Sequence, residues 1–113
     1  MPAKGLPVSN AAIKGDDGQF KVSGEMTFAT VTGLLAQSRE LFAQASESIE
    51  VELEAVERVD SAGLALLIEW MREARTQGKT IRFSRLPAQM MAIATASDLE
   101  SILPLVPGKG ADS

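Results

Sequence analysis

Between Ser48 and Glu54 the chain alternates with a period of two, Ile49, Val51 and Leu53 on one side of an extended backbone and Glu50, Glu52 and Glu54 on the other. A strand of this kind is dry on one face and wet on the other, so the sheet containing it needs helices on one side only. Thr80 to Arg85 repeats the scheme, with Ile81 and Phe83 inward and Arg82 outward. Arg82 and Lys21 are thereby expected across the sheet from the glutamate row. Three carboxylates at i, i+2 and i+4 are strung along about 13 Å of strand and do not converge on a point, which favours a solvated face over a metal or acid–base site.

The remaining elements follow from periodicity and punctuation. Phe20 and Val22 alternate with Lys21 and Ser23, and their hairpin partner is expected around Ala11 to Lys14, across Gly15-Asp16-Asp17-Gly18. From Thr27 to about Ala45, Val31, Leu34, Leu35, Leu41 and Phe42 fall to one side of a first helix. A second helix spans Val59 to Gln77, with Asp60 or Ser61 as N-cap and Gln77-Gly78-Lys79 as a glycine stop. A third begins at Pro87 and runs to about Ser97, with Met90, Ile93 and Ala94 inward. The order is β-β-α-β-α-β-α, an α/β fold. Strands separated by helices pair in parallel and the opening hairpin is antiparallel, so the sheet is mixed.

A chain of 113 residues, 45% apolar, supports one core. The organisation read from it is a flexible N-terminus over 1–10, one domain over 11–104 and a flexible tail over 105–113, since both ends carry proline and glycine without periodicity. Every apolar stretch is broken well before the roughly 18 to 20 residues of a membrane span, and no signal pattern opens the chain, which predicts a cytoplasmic protein without direct membrane insertion. Without cysteine or histidine, disulfides, thiolate nucleophiles and the commonest general base and metal ligand are missing. The net charge of −4, with scattered basic residues, argues against nucleic-acid binding. No catalytic residue, metal site or cofactor is assigned.

The second helix carries the candidate functional residues. At 100° per residue Leu64, Leu67, Ile68 and Met71 form the stripe expected to face the sheet, and Leu66 and Trp70 lie more than a quarter-turn away. That pair either packs on the third helix or forms an exposed anchor for a partner. Ser61 either caps the helix or presents its hydroxyl, beside free amides and the positive end of the dipole, to a phosphoryl group or a partner's acceptor. Ala62 and Gly63 are small either because a partner's backbone approaches closely or because the helix start packs on a strand. Nucleophilic attack by Ser61 would need an activating base, and Asp60 offers no triad.

The segment VDSAGLALL, Val59 to Leu67, resembles the signature loop of STAS domains, and the resemblance extends from GEMTFATVTGLL at Gly24 to RLPAQMMAIATASDLESILP ending at Pro104. The flanks are most similar to the MlaB-like branch, the cytoplasmic STAS subunits of Mla phospholipid ABC transporters. The resemblance implies an anti-sigma-factor-antagonist-like fold, a mixed sheet with helices packed on one face. For MlaB-like members it implies docking of this loop and helix on an MlaF-like ATPase subunit, with a location peripheral to the inner membrane. Asp60, Ser61, Ala62, Gly63, Leu66 and Trp70 are then the partner-binding residues. For the antagonists of the family it implies regulatory phosphorylation of the serine at Ser61 and an anti-sigma-factor serine kinase as the partner. Many members carry Asp-Leu-Ser before the loop, where this chain has Glu52-Leu53-Glu54.

Overall fold

A computed structural model of the chain describes residues 11–106. The hairpin forms as expected, from β1 (Ala11–Asp16) and β2 (Gln19–Met26). Its two-residue turn has Asp17 at φ 52° and Gly18 at φ 80°. Two consecutive positive φ angles are the geometry whose twist matches that of the flanking strands, and Asp-Gly is one of the dipeptides that adopt it readily.

Helix α1 (Val31–Gln44) leads into β3 (Ser48–Val59), α2 (Ser61–Thr76), β4 (Thr80–Ser84) and α3 (Ala88–Ala96), followed by a short 3-10 turn at Glu100–Ile102. The strands lie in sequence order, β1-β2-β3-β4. The first pair is antiparallel and the other two are parallel, so the sheet is mixed. In the register Lys21 stands opposite Glu52 and Arg82 opposite Glu50. The glutamates of β3 are thus flanked by a cation on each neighbouring strand, while Lys21 also stands opposite Lys14 of β1.

Several boundaries move. β3 continues five residues past Glu54 because β2 and β3 are out of step twice, between Lys21 and Ser23 and between Gly24 and Glu25. At each irregularity β3 advances one residue more than β2, and the inward positions pass from Ile49, Val51 and Leu53 to Val56 and Val59. Helix α1 starts at Val31, four residues later than expected. At the other end the ordered chain passes Pro104. The Phe83 N–H donates to the Pro104 carbonyl and the Val106 N–H to the Phe83 carbonyl, both at 2.9 Å. Leu105 and Val106 thus lie along the β4 edge as a one-bridge strap and are not part of a free tail. The ends expected to be loose, 1–10 and 107–113, lie outside the described residues.

Helix α1 packs on β1, while α2 packs on β3 and β4 and is flanked by α1 and α3. Its position at the centre of the helical layer alters its buried face. Leu64, Leu67 and Ala74 are buried, but so are the off-stripe Leu66 and Trp70, while Ile68 and Met71 are only half-buried. Trp70 is fully buried, and its specific contacts are with α1. Its ring meets Phe42 edge-on at 5.7 Å and its indole Nε1–H donates to Ser38 Oγ at 2.7 Å. Ser38 in turn donates to the Leu35 carbonyl at 2.9 Å. The exposed-anchor alternative for Trp70 is thereby overturned. A buried indole needs an acceptor, and the serine between Leu34 and Phe42 on the inner face of α1 supplies it.

Two of the helix ends share one device. Past α2, Gly78 (φ 71°) donates to Arg75 O at 3.0 Å and Lys79 to Ala74 O at 2.9 Å. Past α3, Asp98 (φ 60°) donates to Thr95 O at 3.1 Å and Leu99 to Ala94 O at 2.8 Å. These are Schellman closures. Lys79 does further work, since its ammonium donates to the carbonyls of Phe42 and of Ala45, the latter at 2.8 Å. It places a cation at the C-terminus of α1, whose last turn has no basic residue of its own.

Candidate docking site

The strands β2 and β3 end side by side at Met26 and Val59. Beyond them the chain turns into α1 and α2, so both helices begin at this end of the sheet. Asp60 ties the two turns together. Its Oδ1 accepts the Ala62 N–H at 2.8 Å, the N-cap bond of α2, and its Oδ2 accepts the Phe28 N–H at 3.1 Å. Its own N–H donates to the Met26 carbonyl at 3.3 Å. Asp60, not Ser61, is therefore the N-cap.

Thr30 holds the other turn. Its Oγ1 accepts the Thr27 N–H at 2.9 Å and its hydroxyl donates to the Glu25 carbonyl at 2.8 Å. Residues 27–30 form a fastened loop at whose crest the Phe28 side chain is 85% exposed. The sequence pattern puts this residue inside the first helix, whereas it precedes α1. The available signal is Thr30, an N-cap residue type immediately before the apolar Val31.

Ser61 is exposed at the first position of α2, and its hydroxyl makes no hydrogen bond among the described residues. Gly63 is buried, because α2 starts hard against β2: a Cβ there would lie 2.4 Å from the Met26 carbonyl oxygen. Of the two explanations for its small size the strand contact holds, and Gly63 is no partner-facing surface.

Two open hollows flank the 60–62 turn. One, of about 440 Å³, is bounded by Glu25, Phe28, Arg58, Asp60 and Gln89. The other, of about 290 Å³, runs between α1 and α2, with Val31 and Leu35 on one wall and Ala62, Ala65 and Leu66 on the other. Leu66 is 4% exposed and forms part of its floor. Farther along the same two helices Arg39 and Glu73 pair at 3.4 Å. Glu69, on the groove's rim, pairs with Arg72 at 2.8 Å, and this hydrogen bond and charge raise the Arg72 guanidinium's pKa further above its ordinary value.

The structure thus gathers Asp60, Ser61, Ala62 and the edge of Leu66 at one surface, adds Phe28, and withdraws Gly63 and Trp70 into the interior. Among the described residues no three acidic side chains meet in a cluster able to hold a metal ion, and no helix is long and apolar enough to cross a membrane. The arrangement offers an apolar trough, an unengaged hydroxyl and an aromatic ring on a fixed loop.

A four-stranded mixed sheet packed with three helices is the architecture of a STAS domain. The family model described as "Mlab, STAS domain" matches residues 9–107, and the chain belongs to this STAS family. Such domains are in general non-catalytic. No curated protein matches the chain.

Proposed function

We propose that this protein is an MlaB-like, non-catalytic adaptor that docks on the ATPase subunit of an Mla-type phospholipid ABC transporter and stabilises or activates it. The location is then the cytoplasmic side of the inner membrane, reached through the complex and not by insertion. The observation that carries this is the surface at the start of α2, where Ser61 stands exposed between two hollows and beside an exposed aromatic ring. Surfaces that combine an apolar trough with a few polar groups suit protein partners better than small substrates. The Mlab description of the matching family supports the transporter assignment.

A second reading has its own observation. The free Ser61 hydroxyl at the positive end of α2 would accept a phosphoryl group without breaking an existing bond, as regulation by an anti-sigma-factor serine kinase requires. A phosphate there would add about two negative charges beside Asp60.

The two are separated by binding assays with purified Mla-type ATPase subunit and with purified anti-sigma serine kinase. The adaptor reading expects the ATPase to bind and its hydrolysis rate to change, with Ser61→Asp and Ser61→Ala both weakening the complex. It is refuted if the ATPase does not bind while the kinase binds, modifies Ser61, and is released by Ser61→Asp alone.

A further inference from the structure

We propose that Phe28 is the aromatic anchor of this docking surface, entering an apolar pocket with a basic rim on the partner protein. The proposal rests on the docking function above and adds to it a residue and the chemistry of the receiving surface. Phe28 lies outside the signature loop Val59–Leu67, yet the fold brings it there through a bond from its own N–H to Asp60.

The ring contributes almost nothing to the folded chain, being 85% exposed, whereas most of the remaining large apolar residues are buried or half-buried in the core. Its backbone is nevertheless pinned at two consecutive amides, by Asp60 Oδ2 at Phe28 itself and by Thr30 Oγ1 at Thr27. A flexible loop would have to be ordered on binding. This loop is already ordered, so little of the binding energy of the ring is lost to that cost.

Charge decides the kind of occupant. Beside the ring the hollow carries the carboxylates of Glu25 and Asp60 against the single guanidinium of Arg58, which is itself 4.0 Å from Glu25. The chain as a whole is at −4. An anionic lipid surface or a nucleic acid would be repelled, whereas a protein pocket with apolar walls and a lysine or arginine at its rim is complementary. The same Asp60 carboxylate caps α2 next to Ser61, so the hydroxyl and the ring reach the partner in a fixed relation.

The test measures affinity for the purified Mla-type ATPase subunit by calorimetry, using wild type, Phe28→Ala and Phe28→Trp, with denaturation midpoints recorded for each. Phe28→Ala is expected to bind about tenfold to a hundredfold more weakly, the scale set by one buried aromatic ring, with an unchanged midpoint, and Phe28→Trp to retain binding. Equal binding by wild type and Phe28→Ala overturns the anchor while leaving ATPase docking intact. No binding by wild type removes the docking function and the anchor with it. Wild-type self-association in sedimentation, abolished by Phe28→Ala, would assign the ring to a second copy and also overturn the proposal.

Discussion

Replacing Gly63 with alanine sets two effects of opposite sign against each other. In an open helix the change is favourable by about 1 kcal/mol, because alanine loses less backbone entropy than glycine on becoming helical. Here the new Cβ would sit 2.4 Å from the Met26 carbonyl oxygen and 3.0 Å from Met26 Cβ. The oxygen belongs to the backbone of β2 and cannot rotate away, so the first turn of α2 has to retreat by about 1 Å to reach ordinary contact. That oxygen also accepts the Asp60 N–H at 3.3 Å, already near the limit for a hydrogen bond. Overpacking of this kind costs about 1–3 kcal/mol and the weakened bond about 0.5–1.5 kcal/mol, so the clash wins. Gly63→Ala is expected to destabilise the domain by about 1–3 kcal/mol, lowering Tm by roughly 4–8 °C for each kcal/mol. The assay is guanidinium unfolding followed by the fluorescence of Trp70, the single tryptophan. A variant as stable as wild type or more so would refute the close approach of α2 to β2.

Ser38→Ala leaves the fully buried indole N–H of Trp70 without its acceptor. The expected loss is about 1–3 kcal/mol, and wild-type emission should be blue-shifted and protected from acrylamide. Lys79→Met removes the ammonium held over the carbonyls of Phe42 and Ala45. A loss of about 1–2 kcal/mol is expected, with faster amide exchange confined at first to the end of α1. Asp98→Gly should stabilise the domain by about 0.5–1 kcal/mol in urea unfolding, since Asp98 occupies at φ 60° the position that Gly78 fills past α2.

The parts legible in the sequence are those governed by local rules. The Asp17-Gly18 turn, the alternation of Ile49, Val51 and Leu53, and the stop at Gly78 each depend on neighbouring residues only, and each stands where periodicity puts it. The rest required knowledge of a second element. The end of β3 was hidden because two irregularities against β2 change which residues point inward, so Val56 and Val59 look out of phase with the run before them. Trp70 reads as an off-stripe residue until α1 is placed beside α2, and Ser38 reads as surface until the indole needs it. The candidate site divided in the same way. Asp60, Ser61 and Ala62 follow from the logic of a helix start, whereas Phe28 joins them only through a bond across 32 positions of sequence.

The spatial order β1-β2-β3-β4 is also the temporal order in which a ribosome would deliver the strands. Each new strand finds its neighbour already made and adds at the growing edge, with no slot to be held open for a later arrival. The first pairing, β1 with β2, is local, whereas the two parallel pairings each close across an intervening helix. The exposed edge left by β4 is then covered by the last described segment of the chain, where Val106 bonds to Phe83. Vectorial growth and edge protection are thus two results of one strand order.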